Sequence, residues 1–199
     1  QAYADLVDRL LASPGYGERW GRHWLDVVRF GESNGFERND PRRTFWPYRD
    51  WVIDALNRDM PYDRFARLQL IGDLLIPGRE GAASAGFLVA GVHNTVVGGS
   101  KRMKLLARQD ELEELAASVG QTFLGLTINC ARCHDHKFDP ILTTEYYRFI
   151  SALDGVVHGE RQVAETAIEG QLAKVNSQIK DLPAKPVVIE KRDRKTCGR

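Results

Sequence analysis

The sequence lacks an apolar run long enough to cross a bilayer, and it carries little net charge. Its formal net charge at pH 7 is only +1 over 199 residues, so no global attraction to nucleic acid or acidic lipid is expected. We therefore predict neither a membrane span nor a nucleic-acid partner. The hydrophobic fraction of 43% is sufficient for a core, and the length fits one ordinary domain or one domain with an appendage.

Cysteine is scarce, and its count excludes one class of fold. The three cysteines are Cys130, Cys133 and Cys197, and an odd number argues against a scaffold stapled by disulfides. The chain begins at Gln1 without a methionine or a signal-like segment. We expect a mature or trimmed piece of a longer protein, in which the lack of a signal says nothing about export.

The apolar residues recur mostly at helical spacing, which predicts an all-α fold. Trp20, Trp24 and Val27 share one face of a segment from about residue 17 to 30, because residues three and four apart lie on the same side of a helix. The longest periodic stretch leads directly toward Cys130, and its apolar face consists of Leu105, Leu112, Leu115, Ala116, Val119 and Phe123. We predict a multi-helix domain over residues 1–155.

The region from residue 156 to 199 has a different pattern and is predicted to form a helical arm with a basic, disordered tail. Its apolar residues are spaced four, three, four and three apart, at Ile168, Leu172, Val175, Ile179 and Leu182. That spacing is typical of a coiled-coil seam of about two heptads, which is too short to stand alone. The segment either lies on the helical domain or meets a partner, and self-association through residues 163–182 is one such interaction.

The segment Cys130-Ala-Arg-Cys-His134 matches the attachment pattern of c-type haem. Two thiols separated by two residues can each form a thioether with one vinyl group of the porphyrin. The adjacent histidine is then held beneath the iron and supplies an axial nitrogen ligand. We predict that Cys130 and Cys133 bind one haem c covalently and that His134 is an axial ligand.

Three other interpretations of the cysteine pair remain open. Cys130, Cys133 and His136 have ligand-like spacing for zinc, although the fourth ligand would have to come from His23, His93, His158 or Cys197. A thioredoxin-type redox pair normally follows a strand in a βαβ unit, which the pattern does not contain. The last interpretation is an ordinary pair of reduced cysteines.

The second axial ligand of the predicted haem is not defined by a motif. His23 and His93 are the first candidates, and Met103 is a lesser one. His136 is too close to His134 to reach the opposite face, and it is better placed to contact a propionate or to support the ligand. Arg19 and Arg22 are candidates for pairing with the propionates, because guanidinium binds carboxylates bidentately. An open sixth position would favour peroxidase-like chemistry.

Several separated motifs resemble the planctomycete cytochrome c-associated domain, a domain of unknown function. They are Gly17–Trp20, His23–Asp26, Ser33–Gly35, Pro61–Asp63, Gly125–Thr127 and Cys130–Pro140. The resemblance covers roughly residues 3–155. It implies an exported bacterial protein, usually larger, with a conventional cytochrome c domain upstream. It also implies that Cys130, Cys133 and His134 match a haem-like motif and that His23 and His136 belong to the shared pattern, whereas the position of His93 varies.

These observations lead to three expectations of function. The first is one-electron transfer in the periplasm or on the extracellular side, between a partner cytochrome and another domain. The second is a haem oxidoreductase with an open iron site, in which His23, Arg19 or His93 would be the distal acid–base group. The third is a zinc-stabilised interaction module. No catalytic residue is identified from the sequence.

Overall fold

The computed structural model describes residues 1–161, 163 and 166–180, and in the last segment the side chains of residues 172 and 174–180. Within these residues the protein is all-α, as predicted, and contains no strand. The α-helices are α1 (Ala2–Leu11), α2 (Gly15–Val27), α3 (Trp46–Asn57), α4 (Tyr62–Leu75), α5 (Arg79–Ser84), α6 (Lys101–Val119), α7 (Thr143–Leu153) and α8 (Thr166–Lys180). Two 3-10 helices span Ala85–Val89 and Ile128–Arg132, and a π-helical turn spans Gly120–Leu124.

The first apolar cluster joins α2, α3 and α4 around a ring of aromatic side chains. Trp51 stacks on Phe65 with ring centroids 5.3 Å apart, and the edge of Trp24 meets Phe65 at 4.8 Å. The indole nitrogen of Trp24 donates to Gln69 Oε1 at 3.0 Å, and the fully buried Tyr48 hydroxyl donates to the same oxygen at 2.6 Å. These bonds satisfy polar atoms that would otherwise be costly to bury.

The second apolar cluster joins α6, α7 and the 3-10 helix that precedes the cysteine pair. Its buried residues are Leu112, Leu115, Ala116, Ile128, Ala131, Tyr146 and Ile150. Gly120 allows the loop to pack closely on the end of α6, because a Cβ at this position would lie 2.7 Å from the Cδ1 atom of Ile128. Arg29, which follows α2, hydrogen-bonds to Glu114 and Ser118 of α6. The residues before Cys130 are thus anchored in the core.

Three local features differ from the sequence pattern. Ile71 has non-helical backbone angles (φ −139°, ψ 25°), so α4 is kinked within an otherwise continuous helical spacing of apolar residues. Helix α6 does not lead directly into Cys130, because the π-helical turn and Gly125, with φ 66°, end it first. Leu105 was assigned to the apolar face of α6 but is 62% exposed. Such features depend on tertiary packing, about which the spacing of apolar residues along the chain carries no information.

The chain divides into two compact units, Gln1–Val163 and Ala164–Arg199. The sequence pattern assigns residues 156–161 to the arm, but they belong to the first unit and contact its helices and loops. Thr44 donates to Glu160 at 2.9 Å, and Arg161 lies 3.5 Å from Asp73. In α8, Leu172, Val175 and Ile179 of the predicted seam are exposed. The Ile168 side chain, Leu182 and the predicted basic tail lie outside the described residues.

Candidate functional site

Cys130 lies on the 3-10 helix Ile128–Arg132, and Cys133 directly follows this helix. Ile128 and Ala131 are buried in the second apolar cluster, whereas Cys130 and Cys133 are exposed and their thiols are unpaired. Burial of the residues between and before the cysteines fixes the backbone of the turn. Both sulfur atoms are therefore presented on the surface from an anchored segment.

Arg132, the other residue between the cysteines, ties the turn to α6. Its guanidinium pairs with Glu113 and lies 3.3 Å from Asp110 Oδ1. Its carbonyl accepts a hydrogen bond from the Tyr147 hydroxyl at 3.2 Å, which adds a link to α7. Thus each of the two residues between the cysteines has a structural contact, and the thiols remain accessible.

His134 is exposed, and its ring orientation is set by the main chain. Its Nδ1 lies 2.8 Å from the carbonyl oxygen of Asp135. Because a carbonyl oxygen can only accept, Nδ1 carries the proton and Nε2 carries the lone pair. Metal-ligating histidines usually donate the second ring N–H in this way, which fixes the tautomer and the direction of the ligating nitrogen. This contact leaves Nε2 of His134 as the nitrogen that could bind a metal.

His136 is held inside the same loop, with its side chain only 5% exposed. Its Nδ1 accepts from the backbone nitrogens of Phe138 at 3.3 Å and Asp139 at 2.9 Å. Nε2 therefore bears the proton and donates to Thr127 Oγ1 at 3.0 Å. Both ring nitrogens are occupied, so His136 has no free lone pair for a zinc ion and no spare donor for a propionate.

The other predicted ligands lie on other elements, where the contacts of His23 and Met103 are local ones. His23 lies on α2, is exposed, and has Nε2 within 3.2 Å of Arg19 Nη1. Arg22 is also exposed on α2. Met103, at the start of α6, packs against Gly98, where a Cβ would lie 2.5 Å from its methyl carbon. Arg19, His23 and Met103 thus have contacts of their own, and the role of these residues and of Arg22 with haem stays a prediction.

His93 belongs to a different cluster, with Glu111 of α6 and His158 after α7. His93 Nδ1 lies 2.7 Å from Glu111 Oε1. The two imidazole rings are stacked, with centroids 4.2 Å apart and planes 13° apart. Burial lowers the pKa of His158 to about 4, and the adjacent His93 ring acts in the same direction. His158 is therefore neutral at pH 7.

This histidine cluster (His93, Glu111 and His158) and the cysteine turn lie on different sides of α6. Arg132 reaches α6 at Asp110 and Glu113, and His93 reaches it at Glu111. At 3.6 residues per turn, position 111 is displaced by roughly 130° around the axis from the centre of positions 110 and 113. Whether His93 can act as the second ligand of a haem at His134 stays a prediction. The grouping of residues 93, 111 and 158 has no sequence motif, because they come from three separate segments.

The comparisons identify a family but no characterised relative. Residues 1–158 match the family model PSCyt2, described as a protein of unknown function (DUF1549). A match over this share of the chain shows that the chain belongs to this family, as the motif resemblance indicated. No curated protein and no solved structure matches the chain. None of the helices in the described part of the chain is long and apolar enough to cross a membrane.

The residues of the cysteine turn fit the attachment of a c-type haem. Two exposed thiols stand at the required spacing, and the adjacent imidazole has Nε2 as its lone-pair nitrogen. Apolar side chains are exposed close by in the chain, with Phe138 at 83% and Leu142 at 50% exposure. An apolar macrocycle would cover surface of this kind. A zinc ion at the same place would have fewer ligands, because both ring nitrogens of His136 are already hydrogen-bonded within its loop.

Proposed function

We propose that this chain is a c-type cytochrome domain that carries one covalent haem and transfers single electrons. The observation that carries the proposal is the hydrogen bond from His134 Nδ1 to the Asp135 carbonyl, beside two exposed and unpaired thiols. A reduced cysteine pair without a cofactor would not require an oriented imidazole. The haem supplies reversible one-electron chemistry at iron when bound.

The chain's own residues have distinct tasks in this proposal. Cys130 and Cys133 would hold the haem through thioether bonds, and His134 would supply a nitrogen ligand to its iron. Ala131 and Arg132 hold the turn against α6, which keeps the three attachment atoms at fixed relative positions. His136 maintains the loop that follows. The electron partner is a redox protein or a neighbouring cytochrome domain, on the periplasmic or extracellular side, as the motif resemblance implies.

An enzyme with an open iron site is the second candidate function. The observation that favours it is that His93 and His23 are already engaged, with Glu111 and Arg19 respectively. If both contacts persist in the haem-loaded protein, the sixth coordination position is left to water or a small ligand. His23 and Arg19 would then be the candidates for distal acid–base groups. A zinc-stabilised module at Cys130 and Cys133 is the third candidate.

Haem attachment is tested with the full chain exported together with a c-type maturation system. We expect intact-mass analysis to show the mass of the polypeptide plus one haem, and we expect a pyridine haemochrome spectrum of the c type. Cys130→Ser and Cys133→Ser are each expected to lose a thioether bond, whereas Cys197→Ser is the matched control and keeps both. A bare polypeptide whose Cys130 and Cys133 thiols both alkylate would contradict the proposal.

The coordination state distinguishes the electron carrier from the enzyme. In a closed six-coordinate carrier, added carbon monoxide or cyanide binds slowly or not at all. Rapid binding of either ligand would instead support the open-site enzyme. Separate His23→Gln and His93→Gln variants identify the distal ligand, because loss of the low-spin spectrum in one variant assigns that residue. An unchanged spectrum eliminates the residue tested.

A further inference from the structure

The histidine cluster has the composition of a metal site that is separate from the cysteine turn. One ligand atom from each of His93, Glu111 and His158 lies within 4.8 Å of the other two. Two imidazoles and a carboxylate are the protein ligands of a common class of zinc site, in which water takes the fourth position. The side chains of His93 and Glu111 are only 27% and 20% exposed, so the cluster is largely shielded from solvent.

A second observation points independently to a missing ligand. The Nδ1 atom of His158 is buried and has no hydrogen-bond partner among the described residues. Buried polar atoms are almost always satisfied, and an orphaned one requires an explanation such as an ion or a water. A cavity of about 20 Å³ is lined in part by Glu111 and His158, and one water-sized group needs roughly 10–15 Å³.

We propose that His93, Glu111 and His158 bind one divalent transition-metal ion, with Zn²⁺ as the best match. The three ligands come from the loop before α6, from α6 itself and from the segment after α7. Arg108 holds Glu111 Oε2 at 3.2 Å, which leaves Oε1 as the ligating oxygen. Arg108 also donates to the carbonyls of Asp154 and Val156 and so positions the segment that carries His158.

Binding requires a defined local change. In a tetrahedral site with bonds of about 2.0–2.2 Å, ligand atoms lie about 3.3 Å apart. An ion must also lie near the plane of each imidazole ring, whereas the rings of His93 and His158 are stacked at 4.2 Å. The two rings therefore rotate out of their stack and replace the contact between His93 Nδ1 and Glu111 with bonds to the ion. The charge of Arg108 opposes cation binding, so we expect a lower affinity than that of the same three ligands without a neighbouring cation.

The test uses the full chain after its accessible thiols have been alkylated. Sulfurs already bound to haem are equally unavailable, so zinc cannot bind at Cys130 or Cys133 in either case. Calorimetric titration with ZnCl₂ is expected to show one ion per chain. His93→Gln, Glu111→Gln and His158→Gln are each expected to weaken binding by more than the roughly 10- to 100-fold that loss of an outer-shell partner causes. His23→Gln, at an exposed histidine, is the matched control and should bind as the parent does.

Two further measurements guard against variants that fail to fold. In the unsubstituted chain, zinc is expected to shift the imidazole proton resonances of His93 and His158 while leaving those of His23 unchanged. Zinc should also raise the melting temperature, because it binds the folded state preferentially. Absence of a stoichiometric zinc site, or resonance shifts confined to other histidines, would overturn the proposal. Neither result depends on whether haem is attached, so the two proposals fail separately.

Discussion

At the scale of single residues, two histidines in one loop use their ring nitrogens in opposite ways. His134 donates to a carbonyl and keeps Nε2 free, whereas His136 accepts from two backbone N–H groups and donates to Thr127. The difference follows from which backbone atoms the loop directs at each ring. His134 therefore has a ring nitrogen available to bind a metal, whereas His136 does not.

We predict that replacing these two histidines has different effects on stability. His136→Ala leaves the N–H groups of Phe138 and Asp139 without their acceptor, so the free energy of unfolding of the haem-free chain should fall by about 1–3 kcal/mol. His134→Ala removes an exposed ring and should change that free energy by no more than about 0.5 kcal/mol. Urea denaturation followed by far-UV circular dichroism measures both. Equal losses in the two variants would refute the distinction.

A second residue-scale prediction concerns the pH dependence of stability. The pKa of His158 is lowered from 6.5 to about 4 in the folded chain, so between these values the unfolded state binds more protons than the folded state. Stability is therefore lost as the pH falls from 6.5 to 4, and it is unaffected by this group above that window. His158→Gln should show a shallower decline, measured by urea denaturation with a chelator present. His23→Gln, as control, should retain the steeper decline.

At the scale of elements, the contact between α2 and α3 depends on a residue without a side chain. A Cβ at Gly17 would lie 2.4 Å from the carbonyl oxygen of Ile53 and 2.7 Å from the side chain of Asn57. Asn57 also accepts from the Gly17 backbone nitrogen at 2.8 Å and donates to the Pro14 carbonyl at 3.0 Å. The side chain of Asn57 in α3 thus provides hydrogen-bond partners for two backbone groups at the start of α2.

We predict that Gly17→Ala lowers the free energy of unfolding by about 1–3 kcal/mol, because the added methyl group forces the two helices apart. Gly15→Ala is the matched control on the same helix, since its Cβ would meet nothing closer than 3.5 Å. The control should be neutral or slightly stabilising, because alanine favours a helix over glycine. Thermal unfolding measures both, and a control as unstable as Gly17→Ala would contradict the packing interpretation.

The helices were largely predictable from the sequence, because periodic burial is a local property. Trp24 and Phe65 carry such a signal and lie in the first apolar cluster. The kink at Ile71 and the π-helical turn at Gly120–Leu124 were not predictable. At the π-helical turn, Gly120 packs against Ile128 of the following segment, a contact that helical periodicity does not encode. Tertiary packing overrides local preference at these positions.

At the scale of the whole molecule, the two candidate sites differ in how far the sequence reveals them. Cys130, Cys133 and His134 are adjacent, so their shared chemistry is visible as a motif. His93, Glu111 and His158 are brought together only by the packing of three segments. Sequence reasoning considered His93 as a haem ligand, as an acid–base group and as a partner of the cysteine pair in a zinc site, but it did not group it with Glu111 and His158. A fold was needed to find this cluster.

The boundary of the helical body gives a prediction at this scale. A chain ending at Val163 contains both apolar clusters and should unfold cooperatively. A chain ending at Gly155 lacks His158 and the Val156 carbonyl that accepts from Arg108 at 2.8 Å. We expect the shorter chain to melt at least about 4 °C lower, since 1 kcal/mol corresponds to about 2–4 °C at this size. Identical melting temperatures would place the boundary at Gly155.

The outward position of both thiols has a consequence for the order of biogenesis. Neither Cys130 nor Cys133 contributes to the two apolar clusters, so the packing of these clusters does not depend on either thiol. Under the proposed function, a ligating enzyme would meet a finished surface turn rather than an open chain. The haem-free polypeptide would then resist proteolysis until haem is attached. The supply of haem, rather than refolding of the chain, would limit the rate at which mature protein accumulates.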